Sequence, residues 1–330
     1  MVEILPADRA LAPALALLGA GEVVAIPTET VYGLAGDATN GEAVARIFEA
    51  KGRPRFNPLI AHVSDMAMAE RIGVFDPLSR RLAEKFWPGP LTLVLPLRED
   101  AGIHPLVTAG LATIALRVPR GFGGELIARL GRPLAAPSAN SSGRISATSA
   151  QAVAADLGER IRLVVDGGPA LVGLESTIVR AEPDGTLRLL RPGGIAADEI
   201  EAVTGRALRR GAAGVQAAVQ APVQAAVQAP GMLASHYAPN ASVRLDATDV
   251  RPGEALLAFG PRRAAGWRQA AAVENLSESG DLREAASNLF AALRALDRSG
   301  AATIAAEPVP MEGLGEAIND RLSRAAAPRG

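Results

Sequence analysis

At 330 residues the chain exceeds the usual size of a single hydrophobic core, so two domains are expected; 48% hydrophobic residues suffice for both, although aromatics contribute only 3%. A formal net charge of −1 gives no global attraction to nucleic acid or an anionic membrane, and the absence of cysteine excludes disulfides, thiolate catalysis and cysteine-bound metals. No basic region precedes the first apolar stretch and no long uncharged apolar run occurs, so neither a signal peptide nor a membrane span is expected, and a cytoplasmic location fits.

In chain order, the apolar run Val23–Ile26 reads as a buried strand, and Pro27-Thr28-Glu29-Thr30-Val31-Tyr32-Gly33-Leu34 follows it directly. A helix is predicted from Asn40 to Lys51, followed by Gly52-Arg53-Pro54-Arg55-Phe56-Asn57-Pro58-Leu59. The chain holds 32 arginines and only 2 lysines, yet one lysine stands in a tight cluster with Arg53 and Arg55. A compact ammonium beside planar guanidinium forks suits phosphate, but cations at a helix C-terminus also complement its dipole; the cluster alone admits both readings.

Strands are predicted near Leu59–Val63, Leu91–Leu95 and Thr113–Val118. Two polar residues interrupt them. His62 in its apolar strand is read either as a satisfied core residue or as a substrate contact. Arg117 is costly in such a strand unless a substrate carboxylate or an internal acid answers it. The apolar Pro133–Ala136 precedes Pro137-Ser138-Ala139-Asn140, which by itself is an ordinary proline-led turn. Thr148 then opens a helix, with Gln151 completing a capping box. Glu175-Ser176-Thr177-Ile178-Val179 and Arg191-Pro192-Gly193 follow. Hydroxyls, amides and cations thus recur at strand ends and the turns after them, where α/β proteins place ligand chemistry.

Residues 215–222 and 223–230 both read VQAAVQAP. The prolines interrupt any helix, so a tether is expected, serving either as a hinge or as a neutral expansion. Beyond it, strands at Ser242–Leu245, Ala255–Phe259 and Ala301–Ala306 alternate with helices at Asp281–Leu296 and Glu312–Ala325, which predicts a small Rossmann-like domain. No G-x-x-x-x-G-K-[ST] or G-x-G-x-x-G fingerprint occurs, Gly121-Phe122-Gly123-Gly124 being the nearest miss.

PTETVYGL, KGRP followed by NPL, WPGPLT (Trp87–Thr92), ALRVP (Ala115–Pro119), PSAN, ESTIV and RPG stand in the order found in the YrdC-like family, which the chain resembles over nearly its whole length. The match is strong as far as residue 195. Ala229-Pro230-Gly231-Met232 and His236-Tyr237-Ala238-Pro239 resemble the linker of the family's two-domain form. The resemblance implies an α/β fold: a YrdC-like twisted mixed sheet around a concave cavity at 1–206, a linker at 207–240 acting as a lid, and a small Rossmann-like domain at 241–330. It also implies a nucleotidyltransferase joining L-threonine, bicarbonate or CO2 and ATP into L-threonylcarbamoyl-AMP and pyrophosphate, the first step of tRNA threonylcarbamoyladenosine modification.

By the same resemblance Lys51, Arg53, Ser138 and Asn140 form a catalytic tetrad, with Ser138 and Asn140 as neutral donors to anionic oxygens. Thr30, Tyr32, His62, Arg117, Ser138 and Ser176 meet threonine; Tyr32 either walls the pocket or joins the core. Lys51, Arg53, Asn57, Thr113, Asn140, Thr148, Arg191, His236 and Tyr237 meet ATP. Mg2+ accompanies the nucleotide, held by phosphate oxygens and water with no protein ligand named. A separate enzyme is the expected transient partner that transfers the product to tRNA, and direct tRNA binding stays open. Leu233-Ala234-Ser235 is less basic than the family's usual segment. Two rivals remain: an RNA-binding module, disfavoured by few aromatics and near-neutral charge, and a carbamoyl-phosphate-using transferase, disfavoured by the lack of zinc-binding cysteines.

Overall fold

The computed structural model describes residues 2–210, 229–231 and 236–328. In chain order its strands are β1 (Glu3–Pro6), β2 (Val24–Ile26), β3 (Gly33–Asp37), β4 (Ile60–His62), β5 (Leu91–Pro96), β6 (Thr113–Arg117), β7 (Leu134–Ala135) and β8 (Leu163–Asp166). Then come β9 (Thr177–Ala181), β10 (Leu187–Arg191), β11 (Leu208–Arg210), β12 (Ser242–Arg244), β13 (Ala255–Ala258), β14 (Val273–Asn275) and β15 (Thr303–Ala306). The first eleven form one sheet, ordered β1-β8-β2-β3-β7-β4-β6-β5-β9-β10-β11, and the last four form another, ordered β12-β15-β13-β14. The large sheet is mixed, since β4 runs parallel to β6 while β5 runs antiparallel to it. The small one is parallel throughout. The expected α/β architecture, a twisted mixed sheet plus a smaller parallel one, is what the chain adopts.

Local chemistry explains the helix that carries Lys51. It spans Gly41–Lys51: Asn40 caps its start by accepting from the amides of Glu42 and Ala43, and Gly52 ends it at φ 58°, a left-handed conformation suited to glycine. Lys51 is therefore the last helical residue. With so few aromatics, close approach must replace bulk in the core. Gly36 shows how: a Cβ there would stand 3.1 Å from Ile47 and 3.2 Å from the Ala43 carbonyl, so β3 can lie directly on this helix only through glycine.

Register brings the distant motifs together. His62 pairs with Arg117 across β4 and β6, and Leu91 pairs with Thr177 across β5 and β9. Ser176 consequently reaches Thr92, their hydroxyls 2.7 Å apart. The small sheet is covered by helices Leu282–Arg298 and Gly315–Ala326, whose Leu289, Phe290, Leu293 and Ile318 share one core with Leu257 and Ile304. Val31, Leu174 and Tyr237 join that same core, so the two units are packed together. Gly173, at φ 70°, marks the closest approach: a Cβ there would fall 2.5 Å from the Ala286 carbonyl.

Three local expectations are corrected. Ser149, not Thr148, caps the helix Ala150–Leu157 by accepting from the Ala152 amide, and the Gln151 amide bonds Asp166 instead of closing a capping box. The large sheet runs past the expected boundary at 206, because Leu208–Arg210 adds a strand parallel to β10. The strand β14 has no counterpart among the sequence expectations. Most of the VQAAVQAP repeat, and Met232, lie outside the described residues. Among the described residues no helix is long and apolar enough to cross a membrane.

Candidate active site

One cleft is lined by Thr30, Arg53, His62, Arg117, Ser138, Ser176, Arg191, His236 and Tyr237, together with Glu175, Pro230 and Gly231. It opens where the turns after β4, β6 and β7 meet the start of β9 and the end of β10. The structure thus gathers nine of the expected site residues from segments scattered between residues 30 and 237. A wider groove between Arg55, Phe56 and the loop at 104–111 holds none of them.

The cations of this region fall into two kinds. Arg117 is almost fully buried and is answered by an internal acid, Glu29, at 2.9 Å. The contact is close without being aligned as a hydrogen bond, and it leaves Glu29 Oε1 unpartnered; Arg117 Nε donates to the Gly89 carbonyl at 3.2 Å. Arg321 pairs likewise with Glu175 at 2.8 Å.

Lys51, Arg53 and Arg191 are treated differently. Lys51 Nζ donates to the carbonyls of Ser138 and Asn140. Arg53 donates to the carbonyls of Asn57 at 3.2 Å and Pro58 at 2.8 Å. Arg191 donates to the Ser176 carbonyl at 2.8 Å, the Ser176 hydroxyl at 3.1 Å and the Pro230 carbonyl at 3.3 Å. Among the described residues, no salt bridge to a carboxylate joins any of these three to the acids around them. Burial accordingly pushes the Lys51 ammonium well below its usual pKa, with Arg53 adding repulsion. Arg53 falls to about 10, first through burial, with Arg191 acting in the same direction. Cations left uncompensated in a buried cleft are sites prepared for an anion.

The remaining expected residues divide by position. Lys51 stands just outside the residues lining the cleft, where it fixes the carbonyls of the 138–140 loop while its charge still acts on Arg53 and His236. Asn140 spends its amide hydrogens on the carbonyls of Ser141 and Arg144, so it presents an unpartnered acceptor, Oδ1, and not the expected donor. Asn57 is fully buried with both amide atoms unpartnered, as a ligand contact would be. His62 is neutral: burial, then Arg117, drives it down to about 3. His236 is held neutral in the same way, by burial and then by Arg53 and Lys51.

Three residues stand apart from the cleft. Tyr32 belongs to the core, its hydroxyl donating to the Gly168 carbonyl at 2.7 Å and accepting from the Gly167 amide at 3.2 Å, with burial raising it to about 12. Thr148 is buried beside the helix that Ser149 caps. Thr113 lies half-buried at the opposite end of β6 from Arg117, on the same face by strand alternation. Sequence reasoning missed Glu29, Glu175 and Arg321 as parts of this assembly. For Arg321 a signal existed: with Ile318, Leu322 and Ala325 it occupies the buried face of its helix.

Strand-end turns that gather uncompensated buried cations into one cleft define a phosphate- or carboxylate-binding α/β protein. Comparison with known proteins narrows this class. The chain belongs to the Sua5–YciO–YrdC family: the family model described as "Telomere recombination" matches residues 16–193, and one described as "Threonylcarbamoyl-AMP synthase, C-terminal domain" matches 195–327. It is 42% identical to the threonylcarbamoyl-AMP synthase of Bacillus subtilis, over 98% of this chain and 94% of the relative. It is 41% identical to that of Pyrococcus abyssi, over 94% and 92%. The crystal structure of P. abyssi Sua5 complexed with L-threonine superposes with a TM-score of 0.86 at 37% identity, covering 98% of both chains.

Proposed function

We propose that the chain is a threonylcarbamoyl-AMP synthase, which joins L-threonine, bicarbonate or CO2 and ATP into L-threonylcarbamoyl-AMP with release of pyrophosphate, the first step of tRNA threonylcarbamoyladenosine modification. The observation that carries this reading is the pairing pattern of the buried cations. Arg53 and Arg191 line the cleft without carboxylate partners and suit a triphosphate, while Arg117 and His62 stand together at the adjoining strand ends and suit an amino acid.

In the proposed reaction the threonine amine adds to CO2, forming an N–C bond and releasing a proton to water. The carbamate oxygen then attacks the α-phosphorus; an O–P bond forms, the bond to the β-phosphate oxygen breaks, and pyrophosphate leaves with the electron pair. Negative charge gathers on the phosphoryl oxygens and the leaving group, so positioning and electrostatics supply the catalysis without a protein nucleophile. Arg53 and Arg191 stabilise that charge, and Lys51 holds the loop that presents Ser138. Arg117 takes the threonine carboxylate, with Thr30, neutral His62 and Ser176 around it. Asn57 and Asn140 offer their unpartnered atoms to the nucleotide.

Mg2+ travels with ATP on phosphate oxygens and water. The carboxylates at the cleft do not suit a metal, since Glu29 is committed to Arg117 and Glu175 to Arg321 and Ser146. Among the described residues no cluster of three or more His, Asp or Glu gathers. The adenylate is consumed in the cytoplasm by a separate enzyme that meets this chain transiently and transfers the threonylcarbamoyl group to tRNA. With ATP, bicarbonate and Mg2+ present, pyrophosphate should appear only when L-threonine is added, and mass spectrometry should find threonylcarbamoyl-AMP. Pyrophosphate release that ignores threonine overturns the reading.

A further inference from the structure

We infer that Arg321, on the C-terminal helix Gly315–Ala326, is a positioning residue for the triphosphate end of the cleft, holding both shoulders of Arg191 and the His236–Tyr237 strap in one arrangement. Among the described residues the domain beyond residue 240 contributes no lining residue to the cleft, yet through Arg321 it would set the cleft's shape. The inference rests on the proposed reaction only for its assignment of that end to ATP.

The contacts of Arg321 are specific. Its side chain is fully buried, which is exceptional for arginine. The guanidinium fork is used on three sides: Nε donates to Glu175 Oε2 at 2.8 Å, Nη2 to the Pro192 carbonyl at 3.0 Å, and Nη1 to the neighbouring Asp320. Glu175 immediately precedes Ser176, the residue that accepts from Arg191, and Pro192 immediately follows Arg191. Arg321 therefore fixes the chain on both sides of the Arg191–Ser176 contact.

The face of the same guanidinium lies 5.0 Å from the ring centroid of Tyr237. Tyr237 has φ 63°, a left-handed conformation that a bulky side chain adopts only where its surroundings over-determine it. Arg321 on one side and Phe290, 5.6 Å away between ring centroids, supply that constraint. The Tyr237 hydroxyl in turn closes on Gly231, where a Cβ would stand 2.9 Å from it and 2.8 Å from Arg191 Cδ; only glycine lets the strap pass between them. Glu175, Pro192 and Tyr237, all held by Arg321, thus flank Arg191 through Ser176, the chain itself and Gly231. The threonine end, His62 and Arg117, is held independently by the β4–β6 register.

Arg321→Met alone strands the Glu175 charge, so the decisive variant is Arg321→Met/Glu175→Gln, in which both charges are removed together. Three readouts apply to it: cooperative melting to establish folding, KM for ATP and for threonine, and hydrogen exchange of the Ala238 amide, which donates to the Gly143 carbonyl at 2.8 Å across the strap's docking point. The expected result is a folded protein whose KM for ATP rises at least tenfold while KM for threonine stays within threefold, with Ala238 exchanging at least tenfold faster. Arg321→Lys should fall between this variant and the parent, because an ammonium can pair with Glu175 but cannot also bond Pro192 and stack on Tyr237. Unchanged KM for ATP and unchanged Ala238 exchange in the folded double variant would overturn the inference, as would equal rises in both KM values. If the parent protein releases no pyrophosphate, the proposed function fails by itself, and Ala238 exchange still decides whether Arg321 holds the strap.

Discussion

Two regions of the molecule bury cations in opposite ways. Around Arg117 and Arg321 each guanidinium has its own carboxylate, Glu29 or Glu175, at ion-pair distance. Around Lys51, Arg53 and Arg191 only carbonyl and hydroxyl oxygens answer the charge. A paired buried charge is at best weakly stabilising, whereas an unpaired one is a standing cost that folding alone does not explain. The paired arrangement holds a guanidinium in place, Arg117 for the threonine carboxylate of the proposed reaction and Arg321 for its neighbours, and the unpaired one leaves positive charge open to an anion. The contrast also explains why a chain with a net charge of −1 can still receive a polyanion: the positive potential is local and sheltered from screening.

The largest expected effect comes from converting one kind into the other. Glu29→Gln leaves Arg117 buried without its acid, which should cost about 3–5 kcal/mol of stability. L-threonine brings a carboxylate to the same place, so its thermal shift should be larger in the variant than in the parent. Equal stability of the two proteins in urea titrations would erase the distinction drawn between the two regions.

Lys51→Ala tests the other side. It removes the ammonium that holds the Ser138 and Asn140 carbonyls, and turnover should fall on the order of a hundredfold, equivalent to about 2.7 kcal/mol in the barrier. Stability should barely change, because the folded protein loses an uncompensated buried charge along with two hydrogen bonds. A well-folded Lys51→Ala enzyme of near-normal activity would return the residue to the role of a helix-end cation.

His62 adds a pH dependence of predictable sign. Its folded pKa of about 3 lies below the ordinary histidine value of 6.5, so at intermediate pH the unfolded chain binds the extra proton and stability rises with pH. The contribution is complete above about pH 6.5 and is lost as pH falls; by pH 5 the loss is about 2 kcal/mol. Only below about pH 3 would the folded protein itself take the proton and place a second cation against Arg117. Urea denaturation at pH 5 and pH 7 should show this slope in the parent and a shallower one in His62→Gln. Identical slopes would mean that His62 is not the group responsible.

How much of this was legible depended on the range of each signal. His62 and Arg117 announced themselves because a polar residue in an apolar strand needs a partner, and the motif order pointed to Ser138, Ser176 and Arg191. Which partner Arg117 finds was not readable, since sequence does not show that the turn after β2 folds back onto β6. Arg321 and Glu175 lie 146 positions apart, and only docking of the two units joins them. Thr148 and Ser149 are adjacent hydroxyls with equal capping chemistry, and backbone geometry alone chose Ser149. The direction of the Asn140 amide depended likewise on which carbonyls the loop places around it.

Tyr32 offers the smallest effect and the finest discrimination between a residue beside the cleft and one within it. The PTETVYGL turn carries both Thr30, which lines the cleft, and Tyr32, whose ring points into the core and whose hydroxyl bridges Gly167 and Gly168. Tyr32→Phe keeps the ring and deletes only that bridge, leaving the carbonyl of half-buried Gly168 and the amide of exposed Gly167 to bond water instead. The expected cost is about 0.5–1.5 kcal/mol in urea unfolding, the range for a neutral hydrogen bond whose former partners can reach water. KM for threonine should stay within twofold, because no atom removed faces the substrate. A variant of parental stability with a raised threonine KM would move Tyr32 from the core to the substrate wall and redraw the boundary of the cleft along this turn.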